Sequence, residues 1–122
     1  MNKKLIISLL LDFYGQLLSE KQFEIMDYYY NDDLSLREIA EIVGITRQGV
    51  HDTIKRSEAF LEELETKLGL YSRWQSIQQQ LELINTAVIN IENENSENCK
   101  NKAIAQGCGY VLKNIAEIKT RF

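Results

Sequence analysis

Proline is absent from this chain of 122 residues, and glycine occurs only six times. Because proline breaks helices and glycine weakens them, their scarcity beside plentiful Leu, Ile, Glu, Gln and Lys favours an all-α fold. A single histidine and two cysteines leave too few ligands for a zinc site. The sequence contains no Gly-rich phosphate loop, no paired metal histidines and no nucleophile with a matching histidine motif. It therefore predicts neither an enzyme nor a cofactor.

The charge balance is mildly acidic, with 14 basic and 18 acidic residues and a net charge of −4. Nucleic-acid binding relies on basic side chains that face phosphates, so any such surface must be local. The cysteines Cys99 and Cys108 are nine positions apart, which predicts opposite sides of one helix and no disulfide between them. Two free thiols fit a reducing, cytoplasmic location.

An apolar run from Leu5 to Leu11 opens the chain and ends at Asp12. Seven residues are too few to span a bilayer, and no small-residue cleavage site follows, so neither membrane insertion nor a signal peptide is expected. The run instead predicts an amphipathic helix from about Lys3 to Leu17, with the inward residues Leu5, Ile6, Leu9, Leu10 and Phe13. Ser19 and Gln22 predict a capping box that opens a second helix to about Tyr30. Its expected buried stripe is Phe23, Met26 and Tyr30, with Ile25 nearby.

The stretch from Leu34 to Leu68 predicts a helix-turn-helix motif with a long second helix. Ser35 and Glu38 have the spacing of a capping box, and one stripe of the helix they open is apolar: Leu36, Ile39, Ala40 and Val43. Gly44 suits the left-handed conformation of a tight corner, and Thr46 suits the N-cap of the next helix. A small residue, a corner glycine and a capped second helix are what a DNA-reading motif requires.

The long helix has an apolar face, a basic start and an acidic far half. We expect the apolar face to be Val50, Ile54, Ser57, Leu61, Leu64 and Leu68. We expect Glu58, Glu62, Glu63 and Glu65 to lie on a solvated side that repels phosphate. Arg47 and Gln48, in the first turn, can make bidentate contacts with base edges, and Thr46 at the helix N-terminus suits a phosphate oxygen. The predicted nucleic-acid-binding residues are Arg37, Thr46, Arg47, Gln48, His51, Lys55 and Arg56; a plain surface role is equally open for His51, and Asp52 opposes phosphate in the same patch.

Two further helices are predicted after Gly69, the expected stop of the long helix. One begins near Ser72 and carries an apolar seam at heptad spacing: Trp74, Ile77, Leu81, Ile84, Val88 and Ile91. The polar stretch from Glu92 to Asn98 is predicted as a loop. The last helix repeats the seam with Ile104, Cys108, Val111, Ile115, Ile118 and Phe122, and Gly107 and Gly109 are expected to fray its early part.

The two seams have three possible partners: each other, the motif domain or a second chain. We favour a helical hairpin that also serves as a homodimer interface. The predicted domains are a helix-turn-helix domain at 1–70 and a C-terminal helical extension at 71–122, packed as one unit.

The residues from Leu34 to Ile54 resemble region four of bacterial sigma factors, in Ser35-Leu-Arg-Glu-Ile-Ala40 and Gly44-Ile-Thr-Arg-Gln48. Over roughly its first seventy-five residues the chain is also similar to the YlxM family of small cytoplasmic bacterial proteins. The matching blocks are Leu10–Gly15, Leu18–Gln22, Asp33–Ala40, Thr46–Gln48 with Asp52, Ile54, Lys55 and Arg56, and Leu68–Tyr71. Gly49 and His51 depart from the family pattern, where a better helix former and a tyrosine are usual.

The resemblance implies an all-α, sigma region-four-like helix-turn-helix bundle with a long recognition helix and a C-terminal helical hairpin. It also implies a regulatory role in the signal recognition particle (SRP) pathway, through DNA or SRP RNA and with SRP pathway proteins as further partners. The leading hypothesis is therefore a non-enzymatic nucleic-acid-binding regulator. The alternative is a protein-interaction module that keeps the fold and binds a component of the targeting machinery without touching nucleic acid.

Overall fold

The computed structural model describes residues 2–121, and within this range it contains six α-helices and no strand. The helices are α1 (Lys3–Tyr14), α2 (Glu20–Tyr30), α3 (Leu36–Val43), α4 (Arg47–Leu68), α5 (Leu70–Glu94) and α6 (Lys102–Thr120). A 3-10 turn (Gly15–Leu17) follows α1, and a turn of π-helix (Asn95–Cys99) follows α5. The predicted all-α class is confirmed. Phe122, the last residue of the predicted seam, lies outside the described residues.

The chain divides into two compact units, Met1–Ser72 and Arg73–Phe122. In the first unit, both predicted capping boxes are present, so Ser19 caps α2 and Ser35 caps α3. Gly44 ends α3 and Gly69 ends α4, each in the left-handed conformation, with φ of 79° and 63°. These local signals fix the helix boundaries of the motif as predicted.

The buried face of α1 is shifted by one residue along the chain from the predicted one, so that the two sets share only Leu10. The buried residues are Ile7, Leu10, Leu11 and Tyr14, whereas Leu5 is half-exposed. Because nearly every residue from Leu5 to Leu11 is apolar, the pattern alone does not fix the rotation of the helix. The polar contacts of Tyr14 help to fix it, since its hydroxyl donates to Glu65 at 2.7 Å and accepts from the backbone N–H of Leu70 at 3.1 Å.

The predicted stripe of α2 is correct only at Met26. Ile25 and Met26 are fully buried, whereas Phe23 is partly exposed at the edge of the core. Its ring lies over Gly15, where an added Cβ would stand 2.8 Å from a ring carbon. Phe23 therefore packs on the glycine after α1 instead of entering the core. Tyr30 is half-buried and donates its hydroxyl to Glu58.

The apolar face of α4 is confirmed at Val50, Ile54, Ser57 and Leu61, but Leu68 is exposed. The expectation of a solvated Glu58 and Glu65 was wrong. Glu58 is only 7% exposed, and its Oε2 lies 4.0 Å from the Nζ of Lys3 and 3.7 Å from that of Lys55.

Glu65 is half-buried and holds the start of α5. Its carboxylate accepts from the hydroxyl of Tyr14 and from the backbone N–H groups of Tyr71 and Ser72, at 2.7, 3.0 and 3.1 Å. Together with the bond from Leu70 to Tyr14, this satisfies the first N–H groups of the helix. The helix therefore begins at Leu70 and not near Ser72.

In the second unit, α5 and α6 form an antiparallel hairpin, and Lys119 near the end of α6 pairs with Glu82 of α5 at 2.7 Å. Residues 92–98 are not the predicted loop, because the helix continues to Glu94 and a π turn follows. Asn95 is buried in that turn and bonds through its side chain to the backbone N–H and carbonyl of Asn101, both at 2.9 Å.

The last helix runs unbroken through both of its glycines, contrary to the fraying predicted there. The two cysteines also do not share one helix as predicted. Cys99 is exposed in the π turn and Cys108 is buried in α6, and both are free thiols. Among the described residues of this unit, the buried apolar ones are few: Leu81, Cys108 and Ile115.

Candidate nucleic-acid interface

The corner between α3 and α4 is built by three consecutive residues. Gly44 donates its N–H to the carbonyl of Ala40 at 2.9 Å and turns the chain with its positive φ. Ile45 packs against the same core that buries Val50, which anchors the corner from inside. The hydroxyl of Thr46 then accepts the N–H of Gly49 at 2.9 Å and caps α4. The corner thus leaves the first turns of α4 facing outward.

Gly49 lies directly against this cap. A Cβ at this position would stand 3.1 Å from the hydroxyl oxygen of Thr46 and 3.5 Å from a side-chain carbon of Ile45. The first turn of α4 is therefore tightly packed at Gly49. The helix is continuous through Gly49, and Thr53 donates its hydroxyl to the carbonyl of Gly49 at 2.9 Å.

All seven predicted contact residues are exposed. The structure brings Arg47, Gln48 and His51 together with Leu36 around one shallow depression between the starts of α3 and α4. Lys55 and Arg56 follow one to two turns further along α4. Arg37 lies on α3, does not line the depression and pairs with Glu41 at 3.5 Å.

Asp52 occupies several of the polar groups in this patch. Its carboxylate accepts the side-chain amide of Gln48 at 2.9 Å and lies 3.7 Å from the Nδ1 of His51. Its backbone carbonyl accepts the Nε of Arg56 at 3.4 Å. A ligand that takes the amide donor of Gln48 therefore competes with this carboxylate, whose charge also repels phosphate.

Arg47 is the freest cation of the patch. Among the described residues, no hydrogen bond or ion pair reaches its guanidinium, whereas Lys55 is shared with the buried Glu58. Arginine at the first turn of a recognition helix has the five donors that suit a guanine edge or a phosphate.

Glu58 is the residue near this site that the sequence interpretation misplaced. It follows Val50 and Ile54 at intervals of four residues, so it continues their buried stripe and could have been placed by that spacing. Its carboxylate accepts the hydroxyl of Tyr30 and lies between Lys3 and Lys55, which ties the recognition helix to α1 and α2.

Other kinds of site find no support in residues 2–121. No group of three or more His, Cys, Asp or Glu side chains is placed to hold a metal ion. No helix in the same range has both the length and the apolar content needed to cross a membrane.

Comparison with known proteins identifies the family. Residues 1–102 match the family model of UPF0122, described as "Putative helix-turn-helix protein, YlxM / p13 like", and not as an enzyme family. A UPF0122 protein of Acetivibrio thermocellus is 57% identical over 74 residues, which cover 61% of this chain and 63% of that relative, slightly less than two thirds of its length.

Two further relatives show similar identity. A UPF0122 protein of Thermoanaerobacter sp. is 51% identical over 84 residues, covering 69% of this chain and 72% of the relative. A UPF0122 protein of Halalkalibacterium halodurans is 47% identical over 88 residues, covering 72% and 81%. With a motif whose corner, cap and recognition helix are all present, this chain belongs to the UPF0122 family of YlxM / p13-like helix-turn-helix proteins.

Proposed function

We propose that this protein is a non-enzymatic regulator that binds double-stranded DNA through the first turns of α4. One observation carries the proposal. A corner fixed by Gly44 and capped by Thr46 holds α4 so that every predicted contact residue lies exposed on the motif. A helix presented in this way fits the DNA major groove, and the residues at its N-terminus then meet the base edges.

The roles of the residues follow from their positions. Arg47 and Gln48 read base edges, and Gln48 does so after releasing Asp52. Thr46 uses its oxygen as the cap acceptor, so its hydroxyl hydrogen is left to donate to a phosphate. Arg37, Lys55 and Arg56 flank the groove as backbone contacts, and His51 adds a further donor.

The charge of the motif unit limits the affinity. Residues 1–72 contain 8 basic and 13 acidic residues, a formal charge of −5. Arg37, Arg47, Lys55 and Arg56 allow at most about four phosphate contacts, which gives a slope of log K against log salt of about −3.6. Raising the salt from about 50 to 200 mM should then weaken binding about 100-fold. We expect weak binding that is measurable only at low salt.

A duplex of DNA is favoured over a duplex of RNA because the major groove of A-form RNA is too narrow for a helix. The resemblance to the YlxM family supports the SRP pathway, in the cytoplasm, as the setting of this regulation. The RNA of the particle is therefore the second nucleic acid to test, since its loops and bulges are open to side chains.

The test is a salt titration of fluorescence anisotropy with a labelled mixed-sequence DNA duplex and with SRP RNA. The variant is Arg56→Gln, and the matched control is Lys67→Gln. Lys67 is an exposed cation on the same stripe of α4, three turns beyond the patch. We expect Arg56→Gln to reduce the salt slope by about one and Lys67→Gln to leave it unchanged.

The absence of duplex binding at about 50 mM salt, or equal slopes for the two variants, would refute the DNA proposal. Tighter binding of SRP RNA than of the duplex would make RNA the target.

A second function is favoured by the charge of −5 on residues 1–72, to which the exposed Glu62 and Glu63 of α4 contribute. An acidic surface of this kind suits a basic protein partner. In this alternative the motif is a protein-interaction module for the targeting machinery. Binding of the purified targeting GTPase or its receptor, with no binding of either nucleic acid, would support it.

A further inference from the structure

The hairpin of α5 and α6 exposes two rows of branched aliphatic side chains. On α5 the row is Ile77, Ile84 and Ile91; on α6 it is Ile104, Val111 and Ile118. All six are between 37% and 53% exposed. Each row has a spacing of seven residues, so its members lie above one another on one side of a helix.

The predicted seams thus separate into two registers. Leu81, Cys108 and Ile115 are buried inside the hairpin, and the residues of the two rows lie one step away on the helix surface. The sequence pattern did not separate the two registers, because residues three and four positions apart lie on the same broad side of a helix.

The two rows lie on the same face of the hairpin. On both helices, the row lies about four residues before the buried residues of the same helix. Because α5 and α6 are antiparallel, this equal offset places both rows on the same side of the hairpin. Ile91 and Ile104 are nearest the turn, and they line one apolar groove there with Cys99. Continuing this antiparallel register by seven residues on each helix, we infer that Ile84 lies opposite Val111 and Ile77 opposite Ile118. We call these six residues the hairpin face.

The hairpin face carries no charged residue between its ends. Within each row, the residue three positions after a row member completes the heptad pattern. These residues are uncharged: Gln80, Ala87, Gly107 and Asn114. Depletion of charge marks the centre of protein interfaces, and small residues such as Ala87 and Gly107 let helices approach closely. Among residues 73–121 the hairpin buries three apolar residues, so covering this face would add substantially to its stability.

We propose that a second copy of this chain packs its hairpin face against the first and forms a four-helix arrangement. A twofold pairing brings identical surfaces together, so the hairpin must not repel itself. Residues 73–122 contain 6 basic and 5 acidic residues, whereas the motif unit has its charge of −5. The nearly neutral hairpin is therefore the part of the chain on which two copies can meet without electrostatic cost.

The size of the face predicts a reversible dimer. Fourteen residues of rise and two helix diameters give a patch of about 20 by 20 Å, or about 400 Å² in projection. Specific interfaces bury about 800 Å² per partner, so this face is about half of that size and falls among weak, transient contacts. We expect a dissociation constant in the micromolar range.

The experiment is sedimentation velocity of the full chain at about 2 to 200 μM. The variant is Ile84→Glu, at the centre of the face. The matched control is Leu83→Glu, because Leu83 is the adjacent residue, is equally apolar and is 72% exposed on another side of α5. We expect the wild type and Leu83→Glu to reach twice the monomer mass with rising concentration. Ile84→Glu should weaken the association at least about 100-fold.

Two results would overturn the proposal: a wild type that remains monomeric up to about 200 μM, or equal loss of association in both variants. If Ile84→Glu loses helicity by circular dichroism, the milder Ile84→Asn takes its place. No nucleic acid is present in this experiment, so its outcome is independent of the DNA-binding test.

Discussion

The hydroxyl of Tyr30 offers a direct test of how the recognition helix is held. It donates to the carboxylate of Glu58, which is 7% exposed. Replacing Tyr30 by Phe keeps the ring and removes only the donor, so the buried carboxylate loses its hydroxyl partner. A hydrogen bond to a charged group contributes about 1.5–3 kcal/mol, and we expect a loss of about 2 kcal/mol in the free energy of unfolding.

Lys3 and Lys55 do not offset this loss. Their Nζ atoms lie 4.0 and 3.7 Å from Glu58, but both side chains are largely exposed. Ion pairs with exposed partners contribute no more than about 1 kcal/mol, and they are present before and after the substitution. With a urea m-value of about 2 kcal/mol per molar, the midpoint of unfolding should fall by about 1 M.

The pH dependence gives a second readout of the same bond. Burial, and then the hydrogen bond to Glu58 and its charge, raise the pKa of Tyr30 well above its usual range. The folded state therefore favours the neutral phenol, and this stability is complete below pH of about 10, where the tyrosine of the unfolded chain begins to ionise. Above that pH the wild type should lose stability more steeply than Tyr30→Phe. The difference is at most about 1.4 kcal/mol per pH unit, and less because solvent screens a half-exposed ring.

The assay is urea unfolding followed by circular dichroism, at neutral pH and between about pH 9 and 11. Tyr29→Phe is the control, because the ring of Tyr29 stacks edge-on with Tyr30 at 5.0 Å but its hydroxyl has no hydrogen bond among the described residues. If Tyr30→Phe shifts the midpoint no more than Tyr29→Phe does, or if its alkaline slope equals that of the wild type, the contribution assigned to this bond is wrong.

Three further predictions concern substitutions at four positions. Ser57→Ala should raise the free energy of unfolding by about 1 kcal/mol in chemical denaturation, because its fully buried hydroxyl finds no partner among the described residues; a loss of stability would contradict this. Asp52→Asn should tighten duplex binding in the anisotropy assay, most strongly at low salt, because it removes a negative charge that repels phosphate and weakens the hold on Gln48; unchanged affinity would argue against competition between Asp52 and the DNA. Gly44→Ala should cost about 1 kcal/mol or more because of its φ of 79°, whereas Gly109→Ala, in the interior of α6 with open space around it, should gain up to about 1 kcal/mol; the thermal midpoints of the two variants should move in opposite directions.

The sequence was sufficient to predict where the candidate site lies, but not all of the contacts that its residues make. Capping boxes and the corner glycine are read from residues at most four positions apart, and they located the motif correctly. The hydrogen bond from Gln48 to Asp52 also follows from their spacing of four residues on a helix. The sharing of Lys55 with a buried Glu58 was missed, since that carboxylate is buried by α1 and α2 and not by α4 itself.

The sequence alone determined where most helices begin and end, which stretch forms the helix-turn-helix and which residues lie exposed at its start. These properties depend on local backbone preference and on helical spacing, which are encoded within a few neighbouring residues. Only the tertiary structure decided the rotation of α1, the partners of the carboxylates of Glu58 and Glu65, and the division of the C-terminal seams into a buried and an exposed register. Each of these depends on which other helix supplies a hydroxyl, an N–H group or an apolar surface, and residues far apart in the chain supply them.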